Sequence, residues 1–237
     1  MRKPRWMSAL VAVLALAALS ACNRHEGNGT TTNEPAPAST AVDPAMQARE
    51  DAESTAKCAG NPLIAAMPPQ TTIGGLPFRL WDCTFNSIRA VYGTDGGNEV
   101  DITLTDTRSP DIDKQPAMQD FYRHTLDTQR SIAAASVQML LATLQTASSN
   151  PDAAQGIGGP DYLPIALPSP AGNEPMVIHV GARNDATPDE VVALFKDRYI
   201  LSMEASNKDG AITGLSGPQA QALYGPFIAQ MHPERLP

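Results

Sequence analysis

Histidine, cysteine and aromatic residues are scarce in this chain of 237 residues, which has four His, three Cys, two Trp, five Tyr and five Phe. His25, His124, His179 and His232 lie far apart and form no H-E-x-x-H or other paired ligand spacing, so a metal site would have to be assembled wholly by the fold. No apolar run approaches the roughly 20 residues that a membrane-spanning helix requires. Positive charge is also in deficit, with 17 Lys and Arg against 25 Asp and Glu and a formal charge of −8. That balance argues against nucleic-acid binding and against electrostatic attachment to anionic lipid.

What is present begins at the N-terminus. Arg2, Lys3 and Arg5 precede an apolar stretch from Ala9 to Leu19, and small residues then lead to Cys22, which are the three parts of a secretory signal. Leu19-Ser20-Ala21-Cys22 resembles the bacterial lipoprotein box. The resemblance implies that residues 1–21 are a cleaved signal peptide. It implies further that Cys22 receives a diacylglyceryl group, becomes the first mature residue and is N-acylated. Acyl chains anchor by burial, about 0.8 kcal/mol per CH₂. Asn23 stands where an aspartate would signal inner-membrane retention, so a periplasm-facing, outer-membrane anchor is expected. Loss of Arg2, Lys3 and Arg5 leaves 14 Lys and Arg against 25 Asp and Glu, a formal charge of −11.

With Cys22 acylated, Cys58 and Cys83 have one possible pairing, and an oxidising periplasm would make it. A loop of about 26 residues corresponds to roughly 3 kcal/mol on the chain-entropy model. The bridge would tie the start of the folded domain to its first strand region. Residues 22–54 read as a lipidated flexible tether and 55–237 as a single periplasmic domain. The tether is Thr-, Pro-, Gly- and Asn-rich from Asn23 to about Ala41. About 30 such residues span roughly 30 Å. Within the tether, Asp43-Pro44 can start a short helix through Lys57, although Met46 is its one sizeable apolar residue.

The domain alternates strand and helix signals. Ser87–Tyr92 and Glu99–Thr107 form a hairpin, with Val100, Ile102 and Leu104 at period two and Gly93 to Asn98 as the turn. Pro116 to about Ser148 is helical: Val137, Leu140, Leu141 and Leu144 share a stripe that Phe121, Leu126 and Ile132 extend, and Asn150-Pro151 ends it. Tyr162–Leu167, with Pro164, reads as an edge strand, and Met176–Gly181 as another. Thr187-Pro188-Asp189-Glu190 has the form of a capping box opening a short helix through Lys196. Arg198–Ser206 is a strand with Tyr199, Leu201, Met203 and Ala205 on one side, and Asn207-Lys208-Asp209-Gly210 makes a turn. The last helix starts near Ser216 and places Ala220, Leu223, Tyr224, Phe227, Ile228 and Met231 on one stripe; a kink is expected at Gly225-Pro226. The fold class is α+β, a mainly antiparallel sheet of about five strands with packed helices. Its order of late helix, strand and terminal helix loosely resembles the Mog1/PsbP-like arrangement.

Motifs for chemistry are sparse. Gly214-Leu215-Ser216-Gly217 has Pro218 where a nucleophile elbow needs glycine, and Ser216 with Gln219 fits a helix cap better. Ser54-Thr55-Ala56-Lys57 fits S-x-x-K, but neither S-D-N nor K-T-G follows, which leaves a chance match. Gly93 to Gly97 lacks the Gly-Lys-Ser/Thr of a phosphate loop. His179 alternates with apolar neighbours and reads as structural. Asp106, Asp111 and Asp113 form an acidic loop without the EF-hand pattern; a solvated loop is the plain reading and recognition of a basic surface the functional one. No motif calls for a cofactor, a metal or a catalytic residue.

Three function classes fit. One is a non-enzymatic lipoprotein that binds a protein partner. In its organisation the chain resembles the periplasmic lipoprotein immunity proteins that neutralise toxins delivered by bacterial secretion systems; that resemblance implies a secreted toxin as partner, and the acidic excess suits a basic one. The second is an envelope-maintenance or assembly-factor lipoprotein. The third is a hydrolase whose site forms only in three dimensions.

Overall fold

The computed structural model describes residues 43–149, 165–167, 169, 176–179 and 190–237. Within the compact unit Ala45–Pro237 a single antiparallel sheet organises the chain. Its strands are β1 (Phe78–Cys83), β2 (Ser87–Gly93), β3 (Glu99–Asp106), β4 (Ile165–Leu167), β5 (Met176–His179), β6 (Glu190–Phe195), β7 (Tyr199–Asn207) and the two-residue β8 (Gly210–Ala211). They lie in the order β1-β2-β3-β7-β6-β5-β4, with β8 paired to β7. The first three strands form one meander and β4 to β7 another. The long helix α2 (Gln119–Ser149) separates them in sequence, and β7 closes the sheet against β3.

The expected α+β class with a mainly antiparallel sheet is what the chain adopts, with eight strands rather than about five. The hairpin Ser87–Gly93 and Glu99–Asp106 forms with the expected register, from Ser87↔Thr105 to Gly93↔Glu99. A Cβ at Gly93, whose φ is +129°, would stand 2.1 Å from the Asn98 carbonyl oxygen, so this turn requires glycine for its shape. β4 lies at the sheet edge, as Pro164 suggested; Tyr162–Pro164, Val180 and Gly181 lie outside the described residues.

One face of the sheet carries the core. In-register rows such as Ala90↔Ile102↔Met203↔Val191 bury completely. The cover comes from Leu63, Ala66 and Met67 and from helix α3 (Gly217–Ile228), which presents Ala220, Tyr224, Phe227 and Ile228. The Phe227 ring meets Tyr92 edge-on at 5.0 Å, and the Tyr92 hydroxyl donates to Pro69 O at 2.9 Å. Ser216 caps α3, as read from sequence: its N–H and hydroxyl both donate to Gln219 Oε1, at 2.9 and 2.7 Å. The helix runs on through Gly225-Pro226, and Ala229 N–H bonds back to Gly225 O at 3.0 Å.

The other face meets α2, which packs over β4 to β7 through Leu126, Ala133 and Leu140. These residues recur every seven positions and so share one side of the helix. Phe121 does not join them. It lies five residues before Leu126, roughly 140° round the helix, and is 59% exposed. α2 ends at Ser149, and Asn150-Pro151 lies outside the described residues.

Two expectations need correction. The capping-box helix through Lys196 does not form: Glu190–Phe195 is strand β6, while Thr187, Pro188 and Asp189 lie outside the described residues. Val191, Ala193 and Phe195 alternate into the core, and pairing on both sides with β5 and β7 outweighs the local helix signal. Lys196 and Asp197 then turn the chain with φ of +53° and +48°. Arg130 Nη1 holds the Asp197 carboxylate there at 2.9 and 3.0 Å. Secondly, the segment to residue 54 is not all tether. Helix α1 spans Pro44–Lys57 from its Asp43-Pro44 start, and the folded unit begins at Ala45 rather than Thr55. The expected bridge Cys58–Cys83 is present, with Cα atoms 5.5 Å apart, and joins the end of α1 to the end of β1.

Truncating a fully buried ring should cost far more than truncating an exposed one. Phe227→Ala should lower the urea unfolding free energy by about 3–5 kcal/mol, and Phe121→Ala by less than about 0.5 kcal/mol. Equal losses would contradict this packing.

Candidate functional site: a carboxylate rung and an aromatic patch

The register of the sheet brings together charges that are remote in sequence. Asp101 on β3 stands opposite Glu204 on β7, Glu204 stands opposite Glu190 on β6, and Glu190 stands opposite His179 on β5. Three carboxylates thus share one cross-strand rung on the α2-side face. Like charges directly opposite each other in a sheet repel. The cation joined to this rung among the described residues is Arg89, whose Nη2 reaches Asp101 Oδ2 at 2.7 Å. Burial pushes the Glu190 carboxyl up to about 7, and the charge of Glu204 adds to the effect. Burial also raises Glu204, with Asp101 adding to the rise and Arg89 opposing it. A carboxyl placed so close to neutrality can give or take a proton. Among the described residues, no group of three or more His, Cys, Asp or Glu side chains is arranged to hold a metal ion.

A second feature lies where the chain enters α2. Ser109 caps the single turn Pro110–Lys114, and its hydroxyl donates to Phe85 O at 2.9 Å. Ile112 is buried and pins the turn. The Tyr122 ring then packs on Phe85 at 4.8 Å and on Phe121 at 5.8 Å. Phe121, 59% exposed, stands out into solvent above this support, and Met118, three residues earlier, is 44% exposed. Ion pairs flank them: Arg123 with Asp113, whose carboxylate also accepts from Gln119 at 2.7 Å, and Lys114 with Asp111.

The acidic residues singled out from sequence have other partners than expected. Asp106 is the last residue of β3 and is only 6% exposed, so it is not a loop contact. Arg198 clasps it with two bonds, Nε to Oδ1 and Nη2 to Oδ2, both 2.7 Å. The same guanidinium lies 4.8 Å above the Tyr199 ring. Asp111 and Asp113 are on the Pro110–Lys114 turn and are engaged by their own cations. Hydrogen bonds from Arg123 and then Gln119 hold Asp113 below the usual carboxylate range. Sequence pairs in this region are therefore neutralised within the molecule.

Other candidates resolve into structural roles. Lys57 pairs with Glu53 at 3.3 Å, and Thr55, between Ser54 and Lys57, accepts a bond from β1. His232 meets Glu234 at 3.0 Å, and His124 lies exposed on α2. Cys22 and His25 are outside the described residues. Sequence reading missed the rung because its members come from three strands, and only the pairings of β7 with β3 and with β6 align them. Phe121 had a legible signal, its angular distance from the Leu126–Leu140 stripe. No family model, curated protein or solved structure matches the chain, and the late helix in the element order that suggested a Mog1/PsbP-like arrangement is replaced by strand β6 over residues 190–195.

The raised Glu190 carboxyl ties stability to pH. Between about 4.5 and about 7 the folded state binds the extra proton, so this contribution is complete below the lower value and is lost as pH rises through the upper one. Urea unfolding from pH 4 to 8 should therefore show stability declining across that window, and Glu190→Gln should flatten the decline. The same slope in both proteins would contradict the assignment.

Proposed function

We propose that this chain is a lipid-anchored periplasmic binding protein, held through acylated Cys22 at the outer membrane, whose domain neutralises a secreted protein toxin as an immunity protein. The observation that carries the reading is Phe121, exposed on a support of Tyr122 and Phe85, with Met118 exposed three residues earlier. Apolar residues grouped at the surface within a polar rim mark protein contacts, and aromatic anchors carry most of the energy where such contacts form. The Arg123–Asp113 and Lys114–Asp111 pairs supply the rim.

Inhibition on this reading is occlusion. Phe121 seats in an apolar recess of the toxin, Met118 excludes water beside it, and the rim fixes orientation. The excess of 25 acidic residues over the 14 basic ones that follow residue 21 speeds encounter with a basic toxin without setting final affinity. The domain itself performs no chemistry in this mechanism and requires no cofactor. The lipid and the stretch from Asn23 to about Ala41 keep it where an incoming toxin arrives.

The test is co-production. Cells that direct the product of the neighbouring gene to the periplasm should survive only with this protein present, and Phe121→Ala should remove protection. In vitro, Phe121→Ala should weaken the complex at least about 30-fold, the order expected for an anchor residue. Raising salt from low to physiological concentration should slow association several-fold. A neighbouring product that is harmless in the periplasm would contradict the reading. Envelope defects on deletion in toxin-free cells would favour an assembly factor instead.

A further inference from the structure

Three links tie helix α1 and the cysteine that follows it to β1, the outer strand of the sheet. Asp51 Oδ2 accepts from Arg79 Nε at 2.9 Å, and Arg79 also pairs with Glu99. Thr55 Oγ1 accepts the backbone N–H of Trp81 at 3.0 Å. Cys58, immediately after the helix, is bonded to Cys83, the final residue of β1.

The contact surface of α1 is polar. The helix residues shielded from solvent are Gln47, Asp51, Ser54 and Thr55, whereas Ala45, Ala48, Ala52 and Ala56 are exposed and Met46 is 52% exposed. Surface helices usually dock by burying an apolar stripe, and here there is none to bury. Hydrogen bonds exchanged for bonds to water contribute little net stability. The covalent bridge keeps α1 at high effective concentration beside β1, so these weak contacts form. Thr55 takes up a backbone donor that an edge strand would otherwise offer to another strand.

We propose that α1 is a disulfide-held strap over the outer edge of β1. Bridged, it covers the edge; reduced, it comes away and leaves the Trp81 N–H open, while the rest of the sheet stays folded. The step is thiol–disulfide exchange with a dithiol reductant. The Cys58–Cys83 bond breaks, both sulfurs end as thiols, and the reductant leaves as its own disulfide, so two electrons and two protons are transferred. The cover over β1 thus becomes sensitive to the redox state of its surroundings.

Hydrogen exchange followed by mass spectrometry on the full mature chain, with and without dithiothreitol, tests this. Amides of residues 48–57 and of Trp81 should exchange at least tenfold faster after reduction, with Ile102, Leu201 and Met203 unchanged. No acceleration in α1, or an equal acceleration in β3 and β7, would overturn the proposal. Asp51→Asn with the bridge intact should accelerate α1 less than reduction does. If it accelerates α1 as much, the Asp51–Arg79 pair rather than the bridge is the hold, and the proposal fails.

Discussion

The pairing of β3 with β7 is the interaction on which the rest of the structure depends. Eight consecutive pairs run from Glu99↔Ser206 to Asp106↔Tyr199 and join two meanders that are far apart in sequence. On the core side they set Ile102 against Met203 and Leu104 against Leu201, all fully buried. On the opposite side the same ladder sets Asp101 against Glu204, and the β6–β7 pairing adds Glu190 to complete the carboxylate rung. At its end, the Arg198–Asp106 clasp closes the ladder where a charge sits inside the fold. Contacts so remote in sequence form only after a long loop has closed, which adds to the entropic cost of making this pairing.

The two faces of the sheet carry different chemistry. Beneath α3 the described side chains are mostly apolar and buried, with tyrosines such as Tyr92 hydrogen-bonded within the fold. The α2-side face carries Arg89, Asp101, Glu204 and Glu190, where burial and repulsion hold a carboxyl near neutrality. Phe121 lies in the first turn of α2 and Met118 just before it, away from the packed stripe of the helix. The proposed partner contact therefore does not compete with the core for the same side chains. α1 adds a polar, covalently held cover at the far edge.

Where local pattern and tertiary demand agree, the fold is legible in the sequence. Val100, Ile102 and Leu104 alternate in a strand that needs one buried face, and Tyr199 to Ala205 do the same. Asp43-Pro44 and Ser216 with Gln219 mark helix starts that the structure uses. Cys58 and Cys83, the two cysteines of the folded unit, pair as expected. The reading fails where the two disagree. Thr187 to Glu190 carries a helix-start pattern, yet residues 190–195 are needed between β5 and β7. β1 escaped notice because a register shift between Phe78 and Leu80 breaks its period of two. Asp106 looked like the start of an acidic loop because its partner, Arg198, lies far along the chain. The rung was hidden for the same reason, since no local pattern encodes which strands become neighbours.

The β3–β7 account is tested most directly by the unfolding free energy of Arg198→Met. Asp106 would then be buried without its cation, and the predicted loss is about 3–5 kcal/mol. Adding Asp106→Asn should restore a substantial part of it. A loss below about 1 kcal/mol, the size expected of a solvent-exposed ion pair, would contradict the claim that this clasp closes the ladder.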